Sequence, residues 1–263
     1  MIDLHSHILP GIDDGPSCLA ESVEICAAAE ADGVRTLVAT PHYKPGTYEW
    51  SGQEVSETVS ALQSALRAEG LLMDILPGAE LSIFPELPSL VKEGSAFTIN
   101  RGIYFLVEFR PHAVPANWET FLGGFIDSGL VPVIAHPERN GWFMGRPDVL
   151  SSIVGRGALV QVTAASITGG LGPQARDFSA YLLKRNLVHV IASDAHSPDE
   201  RPALLSEAVG IAGDLIGPER ARAMVTSIPG AIISGKRLPA ADPAEYACID
   251  QAGRGGWLRR LLS

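Results

Sequence analysis

The chain has 263 residues, 46 % of them apolar, and a formal net charge of −10. That length is enough to bury a sizeable core in one large domain or two small ones. The negative charge argues against non-specific binding to nucleic acid, which depends on Lys and Arg neutralising phosphates, and no apolar run is long enough to span a bilayer. The three cysteines, Cys18, Cys26 and Cys248, form no CxxC pair. This speaks against a disulfide framework or a thiolate zinc site and fits a reducing cytoplasm. No basic segment followed by an apolar stretch marks a secretory leader.

In chain order, short apolar runs alternate with helical stretches. "MIDL" (1–4) precedes an Ala-rich helix over about 18–32 that stops at Gly33, with Cys18 and Cys26 expected as small core residues. "VRTLVA" (34–39) is followed by the capping box "SGQE", with Ser51 and Glu54 reciprocally placed. Val55, Val59, Leu62 and Leu66 then mark one helical face, and Gly70 ends it. "MDILPGA" (73–79) and "IYFLVEF" (103–109) lead to a helix near 117–128 that ends at Gly129. "VPVIA" (131–135) precedes a helix near 148–156 that ends at Gly157, and "ALVQVT" (158–163) one over 174–185. "VHVIAS" (188–193) precedes a last helix over 203–215. The runs are Val/Ile/Leu-rich and mostly unalternating, as expected of strands buried on both faces of a parallel sheet. Seven such units predict a (β/α) barrel or a doubly wound sheet. No GxGxxG follows the first run, so the main signature of a dinucleotide fold is missing. Residues 239–263 read differently, as a loop-like stretch ending in the basic, amphipathic "WLRRLLS".

The polar residues fall at the ends of these runs. His5 and His7 close the first, His42 follows the second and Glu80 the third. Glu108 ends the fourth, His136 follows the fifth, and Asp194 and His196 end the seventh. Only the sixth carries none. In a parallel barrel all these ends share one face, where active sites are assembled from several strands. Any one of them alone reads as an ordinary polar residue near a strand end. Together they would repel and dehydrate poorly unless cations compensated them. With Asp14 there are nine candidates, too many for one ion, so two or three divalent ions are expected. A His and carboxylate donor set without thiolate suits Mn²⁺, Zn²⁺ or Fe²⁺.

"DLHSH", "TPHY", "GAEL", "EF", "AHPER" and "SDAH", in this order, resemble the PHP (polymerase and histidinol phosphatase) superfamily. "MIDLHSHILPGIDDGP" and "SDAHSPDERP" resemble more closely its branch of bacterial protein-tyrosine phosphatases from capsular and exopolysaccharide operons. The resemblance covers residues 1–238 and implies an α/β fold, a distorted seven-stranded (β/α)7 TIM-like barrel, with 239–263 as a C-terminal extension. It implies a trinuclear centre in which His5, His7, Glu80 and Asp194 hold one ion. Glu80, Glu108 and His136 would hold a second, and Asp14, His42 and His196 a third. Manganese is the first expectation, with iron or zinc as alternatives. Arg139 and Arg201 would be the catalytic, phosphate-side arginines. The implied substrate is a phosphotyrosine protein, by analogy a tyrosine autokinase of polysaccharide export, and the implied location is the cytoplasm. Oligomerisation is left open.

The expected chemistry is in-line attack on phosphorus by hydroxide that the metal ions supply near neutral pH, with the arginines stabilising charge on the equatorial oxygens. "CIDQAGR" (248–254) matches the C-x5-R spacing of cysteine-dependent phosphatases. Asp250 would set a negative charge inside its phosphate cradle and no strand precedes Cys248, so it reads as a decoy. Tyr43, Tyr48, Trp50 and Phe84 lie in loops (43–53 and 82–88) of the same face and are candidates to wall an aromatic substrate. The alternatives are a small-molecule phosphomonoesterase such as a histidinol-phosphate phosphatase, a hydrolase of amides or cyclic amides, and a barrel that binds metal only for stability or as a scaffold. Asp14, His42, His196 and the two arginines favour phosphate over amide.

Overall fold

The computed structural model describes residues 1–94, 97–109 and 114–238. Residues 239–263, which include the "CIDQAGR" match, lie outside the described residues, as does His112.

Among the described residues, nine short strands form two parallel sheets. One contains β1 (Ile2–Ser6), β2 (Thr36–Ala39) and β4 (Asp74–Pro77), in that order. The other runs β3 (His42–Tyr43), β5 (Glu80–Ser82), β6 (Tyr104–Glu108), β7 (Val131–Ile134), β8 (Leu159–Thr163) and β9 (Val190–Ala192). β3 continues β2 after a bend at Thr40–Pro41, and β5 continues β4 after Gly78–Ala79, so the nine segments trace seven barrel strands. A Cβ on Gly78 would lie 2.9 Å from Val38 Cγ1, which is why the second bend needs glycine. The barrel closes only at its upper end. There Asp194 N–H donates to His5 O at 2.8 Å and His7 N–H to Ala195 O at 2.7 Å. Lower down, the backbone of residues 224–225 separates β1 from β9, taking Ile191 N–H at Met224 O and Ile2 N–H at Val225 O. That wedge is the distortion of the barrel.

The interior is filled by Leu4, Val38, Tyr104, Leu106, Val131, Val133, Leu159 and Val190. Alternate residues such as Phe105, Val107, Ile134, Val160 and Val162 point outward and pack against the helical shell. Strands covered on both faces need apolar residues at both parities, hence the unalternating sequence runs.

The shell begins with α1 (Leu19–Ala31) and α2 (Gly52–Ala68). The capping box of α2 forms as expected, with both reciprocal bonds between Ser51 and Glu54, contributing about 1 kcal/mol. Val55, Val59, Leu62 and Leu66 are its buried stripe. α4 (Trp118–Asp127), α6 (Pro147–Gly155), α8 (Pro173–Lys184) and α9 (Ser206–Ile216) follow the expected positions, α9 starting three residues later than its pattern suggests. Short helices α3 (Leu87–Glu93), α5 (Gly141–Met144), α7 (Ala164–Thr168), α10 (Pro218–Ala223) and α11 (Ser227–Ile233) complete it. α3 takes the last residues of the loop expected at 82–88, and β5 its first. Cys26 is buried, but Cys18 is exposed at the N-cap of α1 rather than in the core. The helix starts one residue after Cys18, so that side chain precedes the apolar face.

Candidate metal centre

The upper end of the barrel gathers all nine predicted ligand candidates. His5 and His7 leave β1 with their Nε2 atoms 3.1 Å apart. Glu80, at the start of β5, is the hub. Its Oε1 lies 2.9 Å from His136 Nε2. Its Oε2 lies 2.8 Å from His42 Nδ1, 3.3 Å from His7 Nε2 and 3.5 Å from His5 Nε2. Asp194 Oδ1 lies 3.4 Å from His5 Nε2, 3.6 Å from His7 Nε2 and 3.7 Å from His196 Nδ1. Asp14 Oδ1 is 3.5 Å from His196 Nε2 and 3.6 Å from His42 Nε2. Glu108 reaches the rim, 4.0 Å from His42 Nδ1.

These atoms form overlapping groups, each small enough to enclose one ion. One is His7, Asp14, His42 and His196; a second is His5, His7 and Glu80; a third is His5, His136 and Asp194; a fourth is His42, Glu80 and Glu108. His7 and His42 each belong to two groups, as do His5 and Glu80, so the ligand sets interlock more than a three-way partition suggests. A cation fits here on the chemistry of the donors. Glu80 Oε2 is fully buried and makes no aligned hydrogen bond, although three imidazole nitrogens lie within 3.5 Å of it. An uncompensated buried carboxylate oxygen is costly, and a divalent ion is the partner its surroundings suit.

Electrostatics point the same way. Burial alone would push His7 down, but the hydrogen bond to Asp13 and the nearby Asp13 and Glu80 carboxylates override it and raise the group to about 10. His136 is raised to about 9 by Glu80, against burial and Arg139. Burial would raise the Glu80 carboxyl, yet the surrounding histidines, His5 first, hold it well below the usual range. Asp194 is likewise lowered, by His5, His136 and Arg201. Glu108 is raised, by burial and by the Glu80 charge. In the absence of an ion, protons take the place of cations in this cluster.

Local backbone sets the ligand directions. His136 (φ 30°) and Asp194 (φ 56°) are both in the left-handed region, unusual for residues with a side chain. Gly15 of "DDG" packs against the first ligand segment, where a Cβ would lie 2.5 Å from His7 O. Asp13 shapes this turn and also holds His7. Its Oδ2 is 2.6 Å from His7 Nδ1 and accepts His42 N–H at 2.8 Å, while Oδ1 accepts Gly15 N–H at 3.0 Å. Asp3 Oδ1 accepts His5 N–H and Ser193 N–H, tying the two edges of the seam together. Glu138 is buried in the turn after His136 and accepts from Thr163 N–H and Ser166 Oγ, fastening that turn to β8 and α7.

Arg139 and Arg201 converge on one atom, Asp194 Oδ2, at 2.5 and 2.6 Å. Each spends one nitrogen there, and their side chains are 37 % and 30 % exposed, so both guanidinium groups stay open to the mouth. A small cavity of about 60 Å³ lies beside them, lined by Glu108, His136 and Arg139 among others. A larger cleft of about 480 Å³, with Tyr104, Arg156 and His189, holds none of the nine candidates. Trp50, Tyr43, Phe84 and Phe97 pack on one another, and Trp50 Nε1–H donates to His42 O. Tyr48 instead stacks on the His42 ring, 5.9 Å between centroids and 12° between planes.

A parallel α/β barrel with a buried multi-histidine, multi-carboxylate cluster at the C-terminal ends of its strands has the architecture of a metallohydrolase. The family model for capsular polysaccharide synthesis CpsB/CapC proteins matches residues 1–234, and the chain belongs to that family. Tyrosine-protein phosphatase YwqE of Bacillus subtilis is 37 % identical over 219 residues, 83 % of this chain and 86 % of that protein. A solved structure described as YwqE from Bacillus subtilis and CpsB from Streptococcus pneumoniae, "unique metal-dependent tyrosine phosphatases", superposes with a TM-score of 0.86 at 34 % identity, covering 91 % of this chain and 98 % of that one. A histidinol phosphate phosphatase from Lactococcus lactis, solved with zinc, histidinol and phosphate, gives a TM-score of 0.54 at 14 % identity over 84 % of this chain and 92 % of its own, a likeness of fold.

Proposed function

We propose that this chain is a metal-dependent protein-tyrosine phosphatase. The observation that carries the reading is the convergence of nine His and carboxylate side chains with two arginines that fork onto a single carboxylate among them. His5, His7, Asp14, His42, Glu80, Glu108, His136, Asp194 and His196 would hold two or three divalent ions, with manganese our first choice. Bound ions would supply an acidified water and Lewis acidity at neutral pH. Arg139 and Arg201 would hold the phosphoryl oxygens through the nitrogens not engaged by Asp194, orienting phosphorus for in-line displacement. The tyrosyl phenolate, with a pKa of about 10, leaves without the strong protonation an alkoxide needs. Tyr48, stacked on His42 at the rim, gives an aromatic substrate a wall. The likeness to YwqE supports phosphotyrosine as substrate, and the capsular polysaccharide family supports a tyrosine autokinase of polysaccharide export as its source.

No helix among the described residues is long and apolar enough to cross a membrane. We place the protein in the cytoplasm, a reading supported by Cys18 and Cys26, both free thiols. The stereochemical course at phosphorus tests the chemistry. A single in-line displacement by water inverts a chirally labelled phosphoryl group, whereas net retention, or a trapped phosphocysteine, would replace this mechanism with a covalent one.

A further inference from the structure

The sixth barrel strand, β8, carries no ligand candidate, yet its one buried amide touches two of them. Gln161 is 1 % exposed and comes two residues after Leu159, so it points into the barrel. Its Oε1 lies 3.1 Å from His5 Nδ1 and 3.2 Å from the backbone N of His136. We infer that Gln161 is a positioning residue that fixes the tautomer of His5 and the backbone of His136, and so sets two ligands of the centre at once.

The donor and acceptor capacity of each atom fixes the arrangement. The His136 N–H can only donate, so the amide atom facing it is the oxygen. That oxygen can only accept, so His5 Nδ1 carries a proton. The bare lone pair of neutral His5 is then on Nε2, the atom that faces His7, Glu80 and Asp194 within 3.5 Å. The opposite tautomer would turn an N–H into the cluster and leave nothing to ligate with. The same oxygen anchors His136 in its left-handed conformation, where the imidazole reaches Glu80 Oε1. The amide nitrogen is buried and has no partner among the described residues, so the oxygen is the atom through which this side chain acts on the site. Asp13 performs the matching task on His7, through a carboxylate.

This inference rests on the metal-centre reading, and the test separates the two. Chelator-stripped wild type, Gln161→Leu and Gln161→Glu are titrated with Mn²⁺ in competition with a fluorescent chelator. Outer-shell partners of this kind change affinity by about 10- to 100-fold. Gln161→Leu, of similar volume without an acceptor, is expected to weaken binding by that factor. Gln161→Glu, which keeps an acceptor oxygen, is expected to stay within about threefold of wild type. Equal affinity in all three chains overturns the role of Gln161 alone, as does equal weakening in both variants, which would make it a packing residue. A wild-type chain that binds no Mn²⁺ overturns the metal reading and this one with it. If Gln161→Leu does not fold, long-range ¹H–¹⁵N spectra of zinc-loaded wild type decide. They should show His5 protonated at Nδ1 and ligated through Nε2, and ligation through Nδ1 would overturn the inference.

Discussion

Replacing Glu80 by glutamine keeps the shape and one acceptor of the side chain while removing its charge from among four imidazoles. In the metal-free protein this charge holds a proton on His136, whose ordinary value of 6.5 is raised to about 9, Glu80 being the chief cause acting against burial. A base raised in the folded state stabilises the fold fully below about 6.5, and that contribution is lost as pH climbs through 9. At pH 7 the His136 contribution alone is about 2 to 3 kcal/mol. Glu80→Gln should therefore lower the stability of the chelator-treated protein by about that amount at pH 7, and the gap should narrow toward pH 10. Urea denaturation at both pH values, with unchanged slope confirming a two-state comparison, measures it. Equal stability at pH 7, or a gap that widens with pH, would refute the reasoning that Glu80 is the charged hub of the cluster.

Three other perturbations have defined outcomes. Arg139→Ala should lower kcat/KM for a phosphotyrosine peptide by about 10²-fold while leaving bound Mn²⁺ per chain unchanged, the scale expected for one donor to developing charge. Tyr48→Ala should raise KM by about three- to tenfold for an aryl phosphate and much less for an alkyl phosphate, since only the former loses a stacking partner. His189 is lowered from 6.5 to about 4, chiefly by burial and then by Arg220, so it is neutral in the fold. Stability tied to that neutral form is present above about 6.5 and lost as pH falls toward 4, about 2 kcal/mol by pH 5. His189→Gln should remove that part of the acid loss in urea midpoints compared at pH 7.5 and pH 5.

The sequence shows the barrel because each strand needs apolar residues on both faces, and the ligand candidates because they interrupt that pattern at the strand ends. His42, Glu80, Glu108 and His136 are each legible as the polar residue at the C-terminal end of an apolar run. Contacts across the barrel have no such local signature. Asp13 looks like turn chemistry until its reach to His7 is seen, and Gln161 is only one polar residue inside "ALVQVT". A lone amide in a doubly buried strand is the available signal, since such a group must find a partner. The short helices α3, α7, α10 and α11 span seven residues or fewer, too few for a hydrophobic period to stand out. The wedge of residues 224–225 between β1 and β9 comes from a tertiary contact that leaves strand composition unchanged. Cys18 falls outside the core by one residue at a helix start, the least legible part of any helix.

The polar cluster is expected to work only when it holds metal. The most direct measurement tracks phosphotyrosine-peptide hydrolysis while chelator-stripped protein is titrated with Mn²⁺, Fe²⁺ or Zn²⁺, with histidinol phosphate and a simple aryl phosphate in parallel and His136→Ala as control. The stripped protein should hydrolyse nothing, and activity should recover to saturation at two or three ions per chain. The metal-loaded protein should prefer the peptide over histidinol phosphate, and His136→Ala should not recover. Full activity in the stripped protein, or recovery unaffected by His136→Ala, would contradict a metal-dependent centre.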